Sequence, residues 1–178
     1  YCKDLGADVT LVSGPVRINK PEKLLIKNIE TSSEMYDEVM KSINNYDVFI
    51  SAAAISDWKV KKISREKIKK NQSNTLNLTL LKNIDILKEI SNHKFRPKLI
   101  IGFSAETSNL MKNSLHKFKS KNCDWMIANN VLREDVFGSD YNKVSLITKS
   151  TIEHWPKQKK SEIAKKIAKK IVNFFKKK

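Results

Sequence analysis

Apolar runs rich in β-branched residues alternate along this chain with longer segments whose apolar positions recur every three or four residues. The first pattern predicts strands and the second helices. Asp8–Ser13 (DVTLVS) reads as a short strand ending at the Gly14-Pro15 turn, and Lys23–Glu30 (KLLIKNIE) as another. Thr31, Ser32 and Ser33 offer caps to a helix whose buried stripe is Met35, Val39 and Ile43. Tyr46–Ala54 (YDVFISAAA) is nearly continuously apolar, the pattern of a strand buried on both faces.

Beyond a lysine cluster, Thr75–Lys82 (TLNLTLLK) alternates apolar and polar residues, which predicts a strand with one wet face. A short helix follows over Asn83–Ser91, with Asp85 in its first turn, where a carboxylate suits the helix dipole. Pro97–Thr107 and Asp124–Val131 read as buried strands. Between them lies a helix that turns Leu110, Ser114 or Leu115, and Phe118 inward. A turn at FGSDYN, a strand at KVSLIT and a closing helix with Ile163, Ile167, Ile171 and Phe174 or Phe175 along one side complete the order. Strands separated by helices long enough to cross over predict an α/β, Rossmann-like, mostly parallel sheet with helices on both faces.

The 178 residues suit one domain, 1–178, whose closing helix carries a lysine-rich stretch at 157–178. Four glycines and four prolines leave little for flexible linkers. No apolar run approaches the about 20 residues of a membrane span, and the N-terminus lacks the basic-then-apolar order of a secretory signal. The chain begins at Tyr1 rather than Met, and Gly6–Gly14 reads as the second strand of an α/β unit. The expectation is an N-terminally truncated domain. Cys2 and Cys123 make neither a disulfide framework nor a zinc spacing, and His93, His116 and His154 are scattered. Both facts predict a reducing, cytoplasmic setting without a structural metal. The net charge of +16 raises the question of nucleic acid. The charge is almost all lysine, with Arg17, Arg65, Arg96 and Arg133 the only arginines, and it gathers at the C-terminus. Specific nucleic-acid binding, which favours arginine, is therefore not expected, nor is a membrane role.

Ligands of an open parallel sheet bind beyond the carboxyl ends of its strands. AAAISD, GFSAET, IANN and SGP all fall at such ends. Ala52, Ala53 and Ala54 leave the backbone bare for a ligand, or serve helix–sheet packing. Asp57 suits a ribose, a base or a Mg²⁺ beside a triphosphate, or caps a turn. In Glu66–Lys70 (EKIKK), burial of Ile68 would anchor the loop and let Lys67, Lys69 or Lys70 reach into a cleft. Lys117 and Lys121, four apart on one helix, repel mildly unless an anion sits between them. Phe103 emerges where an aromatic ring can stack on a base, or belongs to the core. Asn129 and Asn130 add neutral donors at the same edge. The residues alone give a polyanion-binding edge without a reaction.

Together, GADVTLVSGPV, AAAISDW, EKIKK, NIDIL, IGFSAET, DWMIANNV and FGSDYNKVSLI resemble, in order and spacing up to about Leu146, the phosphopantothenate–cysteine ligase family. The resemblance implies a ligase of coenzyme A biosynthesis. It would activate 4′-phosphopantothenate with CTP to an acyl-cytidylate and pass it to the amine of cysteine. It implies Mg²⁺ as the metal, a homodimer with shared sites, and FMN only if a flavin-dependent decarboxylase domain lies upstream. Carried over by position, the nucleotide contacts fall on Asp57, Lys67, Ile84, Asp85, Ile86, Leu87, Phe103, Lys117 and Lys121. The substrate contacts fall on Ala53 and Ala54. Lys67 is the implied catalytic charge stabiliser, and Asp57 the candidate carboxylate for Mg²⁺.

Two departures stand out. Ile84 replaces the family's usual proline, and the family's first strand, Gly-rich loop and Asn-Ser-Ser segment do not occur in this sequence. The expectation is weak or no activity from these 178 residues alone. Two alternatives remain: an NAD(P)-dependent oxidoreductase, against which no GxGxxG stands in the sequence, and a non-enzymatic lysine-rich polyanion binder.

Overall fold

The computed structural model describes all residues except 17, 20, 65, 70–74, 107, 131–138 and 177–178. Its centre is a five-stranded sheet in the order β10-β9-β7-β6-β3. Strands β3 (Val48–Ser51), β6 (Leu99–Glu106) and β7 (Trp125–Asn130) run parallel; β9 (Val144–Thr148) pairs antiparallel with β7, and β10 (Ile152–His154) antiparallel with β9. The Lys98–Ile101 region enters the sheet directly, since Leu99 N–H donates to Asp47 O across to β3.

Alternation along β6 sorts its side chains between two layers. Ile100 packs with Ile86, Leu87, Ile90, Met126 and Ala128 beneath α1 (Ser32–Met40), α2 (Ile86–Ser91) and α3 (Leu110–Lys121). Leu99 and Ile101 pack on the other face with Ile127, Leu146, Trp155, Ile163 and Ile167 beneath α4 (Lys160–Lys176). Helices therefore cover both faces, as the sequence predicts. The inward residues expected on α3 and α4 are also met: Ser114 is fully buried, and Leu110, Leu115 and Phe118 pack against the core.

Local chemistry fixes the ends of these helices. Thr31 Oγ1 accepts from the N–H of Glu34 (3.1 Å), and the Glu34 carboxylate accepts from the N–H of Glu30 (2.8 Å), a reciprocal cap for α1. Asn109 and Asn122 bound α3 in left-handed backbone, a conformation asparagine tolerates better than most residues.

The smaller strands depart from expectation. Strands β1 (Thr10–Ser13) and β2 (Leu25–Asn28) pair in parallel as a sheet of their own. The apolar run predicts β3 buried on both faces, yet Ile50 is 40% exposed. The reason is position: β3 is the outermost strand of the five, pairing there only with β6. The strand expected over Thr75–Lys82 shortens to β5 (Leu80–Lys82), which pairs antiparallel with β4 (Trp58–Val60) as an exposed hairpin. Ile43 is buried as expected, but in a 3₁₀ turn beyond α1. The FGSDYN turn lies partly outside the described residues; Tyr141–Asn142 forms β8, which pairs with β11 (Gln158–Lys159).

Candidate functional site

The parallel strands bring three carboxyl ends to one edge. Ser51 pairs with Gly102, and Glu106 with Asn130. The chain leaving β3 supplies Ala52–Asp57, all six accessible to different degrees, with Ala52, Ala53 and Ala54 exposed. Packing against a helix therefore does not explain the alanines.

Asn83 fastens this loop to its surroundings. Its backbone N–H donates to Asp57 O (2.8 Å), and its side-chain amide donates to Ser56 O (2.8 Å). Ser32 Oγ, at the start of α1, donates to Asn83 Oδ1 (3.1 Å). Asp57 is thereby held at the base of the β4–β5 hairpin, where Trp58 pairs with Lys82. Tyr36, Lys82, Asn83, Ile84, Asp85, Lys88 and Glu89 line an open cleft of about 480 Å³ beside it.

Asp85 is the cap of α2 rather than a first-turn residue, because its carboxylate accepts from the N–H of Lys88 (3.2 Å). Its other oxygen forms an ion pair with Lys121 of α3. One turn earlier on that helix, Lys117 Nζ lies 2.8 Å from Glu106 Oε1 at the end of β6. The expected repulsion between Lys117 and Lys121 is thus relieved by two carboxylates of the chain itself. Burial pushes the Glu106 carboxyl up, but the bonds from Lys117, Ser104 and Asn113 outweigh it and hold it below the ordinary glutamate range.

Over residues 1–175 the chain matches the sequence model of the DNA/pantothenate metabolism flavoprotein C-terminal domain. The chain belongs to this family. It is 45% identical over 166 residues to the coenzyme A biosynthesis bifunctional protein CoaBC of Borreliella burgdorferi, covering 93% of this chain and 42% of that protein. Against the protein of that name from Escherichia coli K12 it is 32% identical over 170 residues, 94% of this chain and 42% of the other. The chain thus spans less than half the length of these relatives. The crystal structure of the C-terminal domain of a coenzyme A biosynthesis bifunctional protein CoaBC superposes with a TM-score of 0.80 at 29% identity, over 99% of this chain and 79% of that one.

Within this family member, the residues singled out in the sequence separate into three groups. Asp57, Ile84, Asp85, Ile86, Leu87, Lys117 and Lys121 gather around α2 and the facing end of α3, although Ile86 and Leu87 are buried in the core and only Ile84 and Asp85 line the cleft. Phe103 is 39% exposed, but alternation puts it opposite Gly102 and Ser104, on the sheet face away from α3. Lys67 and Lys69 are exposed on the segment between β4 and β5; Lys70 lies outside the described residues. Ile68 does not anchor that segment, being 56% exposed, because the hairpin stands away from both cores. Asn129 is half-buried at the end of β7.

Two residues escaped the sequence reading. Asn83 looked like a simple helix start, and Glu106 sat unremarked inside GFSAET; their partners, Ser32, Ser56, Ser104 and Lys117, are up to 51 positions away. Only a carboxylate at a strand end followed by a lysine-bearing helix could have hinted at the second. Among the described residues no group of three or more His, Cys, Asp and Glu side chains could hold a metal. No described helix is long and apolar enough to cross a membrane. Cys123 is buried and its thiol is pushed up to about 11, chiefly by that burial, which suits a core residue and not a nucleophile.

Proposed function

We infer that this chain is the portion of a coenzyme A biosynthesis protein that joins 4′-phosphopantothenate to cysteine through an acyl-cytidylate. What supports the reading is a pair of carboxylate–lysine contacts on α3, Glu106–Lys117 and Asp85–Lys121, together with the tie from Asn83 to Asp57 beside the cleft that Asp85 lines. The match to the Borreliella burgdorferi protein covers 93% of this chain.

In the proposed reaction, a carboxylate oxygen of phosphopantothenate attacks the α-phosphorus of CTP and pyrophosphate leaves with the bond electrons. The cysteine amine then attacks the acyl carbon, loses a proton, and CMP departs. Negative charge grows on the phosphates in the first step, so cations held in place beforehand lower its barrier. Lys117 and Lys121 are held by their carboxylates; Lys67 would join them from the hairpin segment, as the catalytic charge stabiliser. Ala53 and Ala54 would meet the substrate through exposed backbone, and Ile84–Leu87 with Asp57 would take the nucleotide. Phe103, on the other sheet face, would be reached only by a ligand that crosses the strand ends. Mg²⁺ typically keeps water ligands and binds through one or two carboxylates plus substrate phosphates. It would therefore come with the triphosphate, and Asp57 offers an exposed carboxylate to it.

The name of the relatives, a bifunctional protein, and their greater length support a second, flavin-dependent decarboxylase unit bearing FMN in the complete protein. The cytoplasm is the compartment this substrate set implies. A homodimer is supported by the β4–β5 hairpin, where Trp58, Ile63, Ile68, Leu76 and Leu78 are each more than half exposed.

The test is pyrophosphate release by the complete protein given phosphopantothenate, Mg²⁺ and either CTP or ATP, before cysteine is added. Release with CTP alone is expected. Release with ATP alone would keep the ligase and change its nucleotide. Silence with both from folded protein would leave a polyanion-binding module, whose affinity should then fall steeply with salt.

A further inference from the structure

We propose that Glu106 is a positioning residue for the nucleotide-activating step, holding the ammonium of Lys117 at the carboxyl end of β6; the proposal rests on the nucleotide reading of α3 given above. Three side-chain donors converge on this one carboxylate. Ser104 Oγ donates to Oε1 (2.8 Å), Lys117 Nζ pairs with the same oxygen (2.8 Å), and Asn113 Nδ2 approaches Oε2 (3.4 Å). Behind them, Ser114 Oγ donates to Ser104 Oγ (3.2 Å), and both serines are at most 1% exposed.

The arrangement has a direction. Glu106 is only 12% exposed, whereas Lys117 is 45% exposed. Swinging the carboxylate away would strand a buried serine hydroxyl, which is costly where no water replaces it. Ser104 and Ser114 also tie β6 to α3, so the carboxylate is fixed relative to both elements that carry the pair. A lysine ammonium has three donors, and one bond to Glu106 leaves two for phosphate oxygens. The flexible side chain is thus aimed by a rigid anion, and its charge is already placed when negative charge develops on the leaving pyrophosphate. The opposite role, a carboxylate that occupies Lys117 and must be displaced by nucleotide, would call for a mobile anion. The hydrogen-bonded one seen here does not move freely.

The test is a double-mutant cycle on the complete protein, with Glu106→Gln, Lys117→Ala and both together, read as kcat/KM for CTP in pyrophosphate release and as KM for cysteine. Glu106→Gln alone is expected to lose about tenfold in kcat/KM for CTP without changing KM for cysteine, and to lose nothing further on the Lys117→Ala background. Equal losses on both backgrounds would mean a structural role and overturn the proposal. Tighter CTP binding by Glu106→Gln would mean a competing carboxylate and overturn it as well. A Lys117→Ala protein with unchanged handling of CTP would overturn the nucleotide reading of α3 and this proposal with it. If Glu106→Gln does not fold, Ser104→Ala removes one of the three donors and takes its place in the cycle, with a smaller loss of the same kind expected.

Discussion

Gly102 shows how closely the core and the proposed nucleotide segment are joined. A Cβ at this position would lie 2.6 Å from Leu87 Cδ2 and 3.3 Å from Met126 Sδ and Cε. Leu87 follows the α2 cap, so any shift it makes is felt at Asp85. Gly102→Ala is expected to lower the unfolding free energy in urea by about 1–3 kcal/mol, the usual cost of overpacking a filled core. It should also raise KM for CTP, because Leu87 cannot yield without disturbing α2. A variant as stable as the parent would mean that Leu87 has another rotamer free. Other single residues act by charge. Asp124 accepts from the N–H of Ile100 (2.8 Å) and pairs with Arg96, which fixes the start of β7 against β6 at the end opposite the cleft. Lys121 follows the same logic, paired with Asp85, whose carboxylate accepts from the backbone N–H of Lys88.

Elements position the site through their termini. The six-residue α2 presents its cap to Lys121, and the twelve-residue α3 presents two lysines one turn apart. Asn83 is the joint between α1, the Ala52–Asp57 loop and α2. Replacing it with alanine removes two side-chain hydrogen bonds, at about 0.5–1.5 kcal/mol each. The expected result is a modest loss of stability together with a severalfold rise in KM for CTP and no change in KM for cysteine. Steady-state kinetics with each substrate varied in turn checks this, and equal rises in both would point to general loosening instead. The helices themselves were legible from sequence because their apolar residues recur at helical spacing and their caps, such as Thr31, lie beside them. Asn83 was not, because its partners are distant in the chain.

At the scale of the whole molecule, the β4–β5 hairpin and the lysine-rich face of α4 stand outside the cores. The hairpin's apolar side chains are exposed on the single chain, and a self-complementary contact would bury them. If the proposed homodimer forms through this hairpin, Ile63→Glu with Leu78→Glu is expected to leave a monomer in sedimentation velocity where the parent sediments as a dimer. A dimer that survives both changes would remove the hairpin from the interface.

Local pattern carries the α/β class, the order of the main strands and helices, the inward faces of α3 and α4, and the places where the strands end. Each of these depends on short-range periodicity or on turn and cap chemistry, which neighbouring residues carry. Tertiary structure alone decided that β3 stands at the edge of the sheet, that Ile68 stays exposed, that Phe103 faces away from α3, and that Lys117 and Lys121 are each matched by a carboxylate. These outcomes depend on which strand pairs with which and on side chains 11 and 36 positions apart, and no local pattern encodes such pairings.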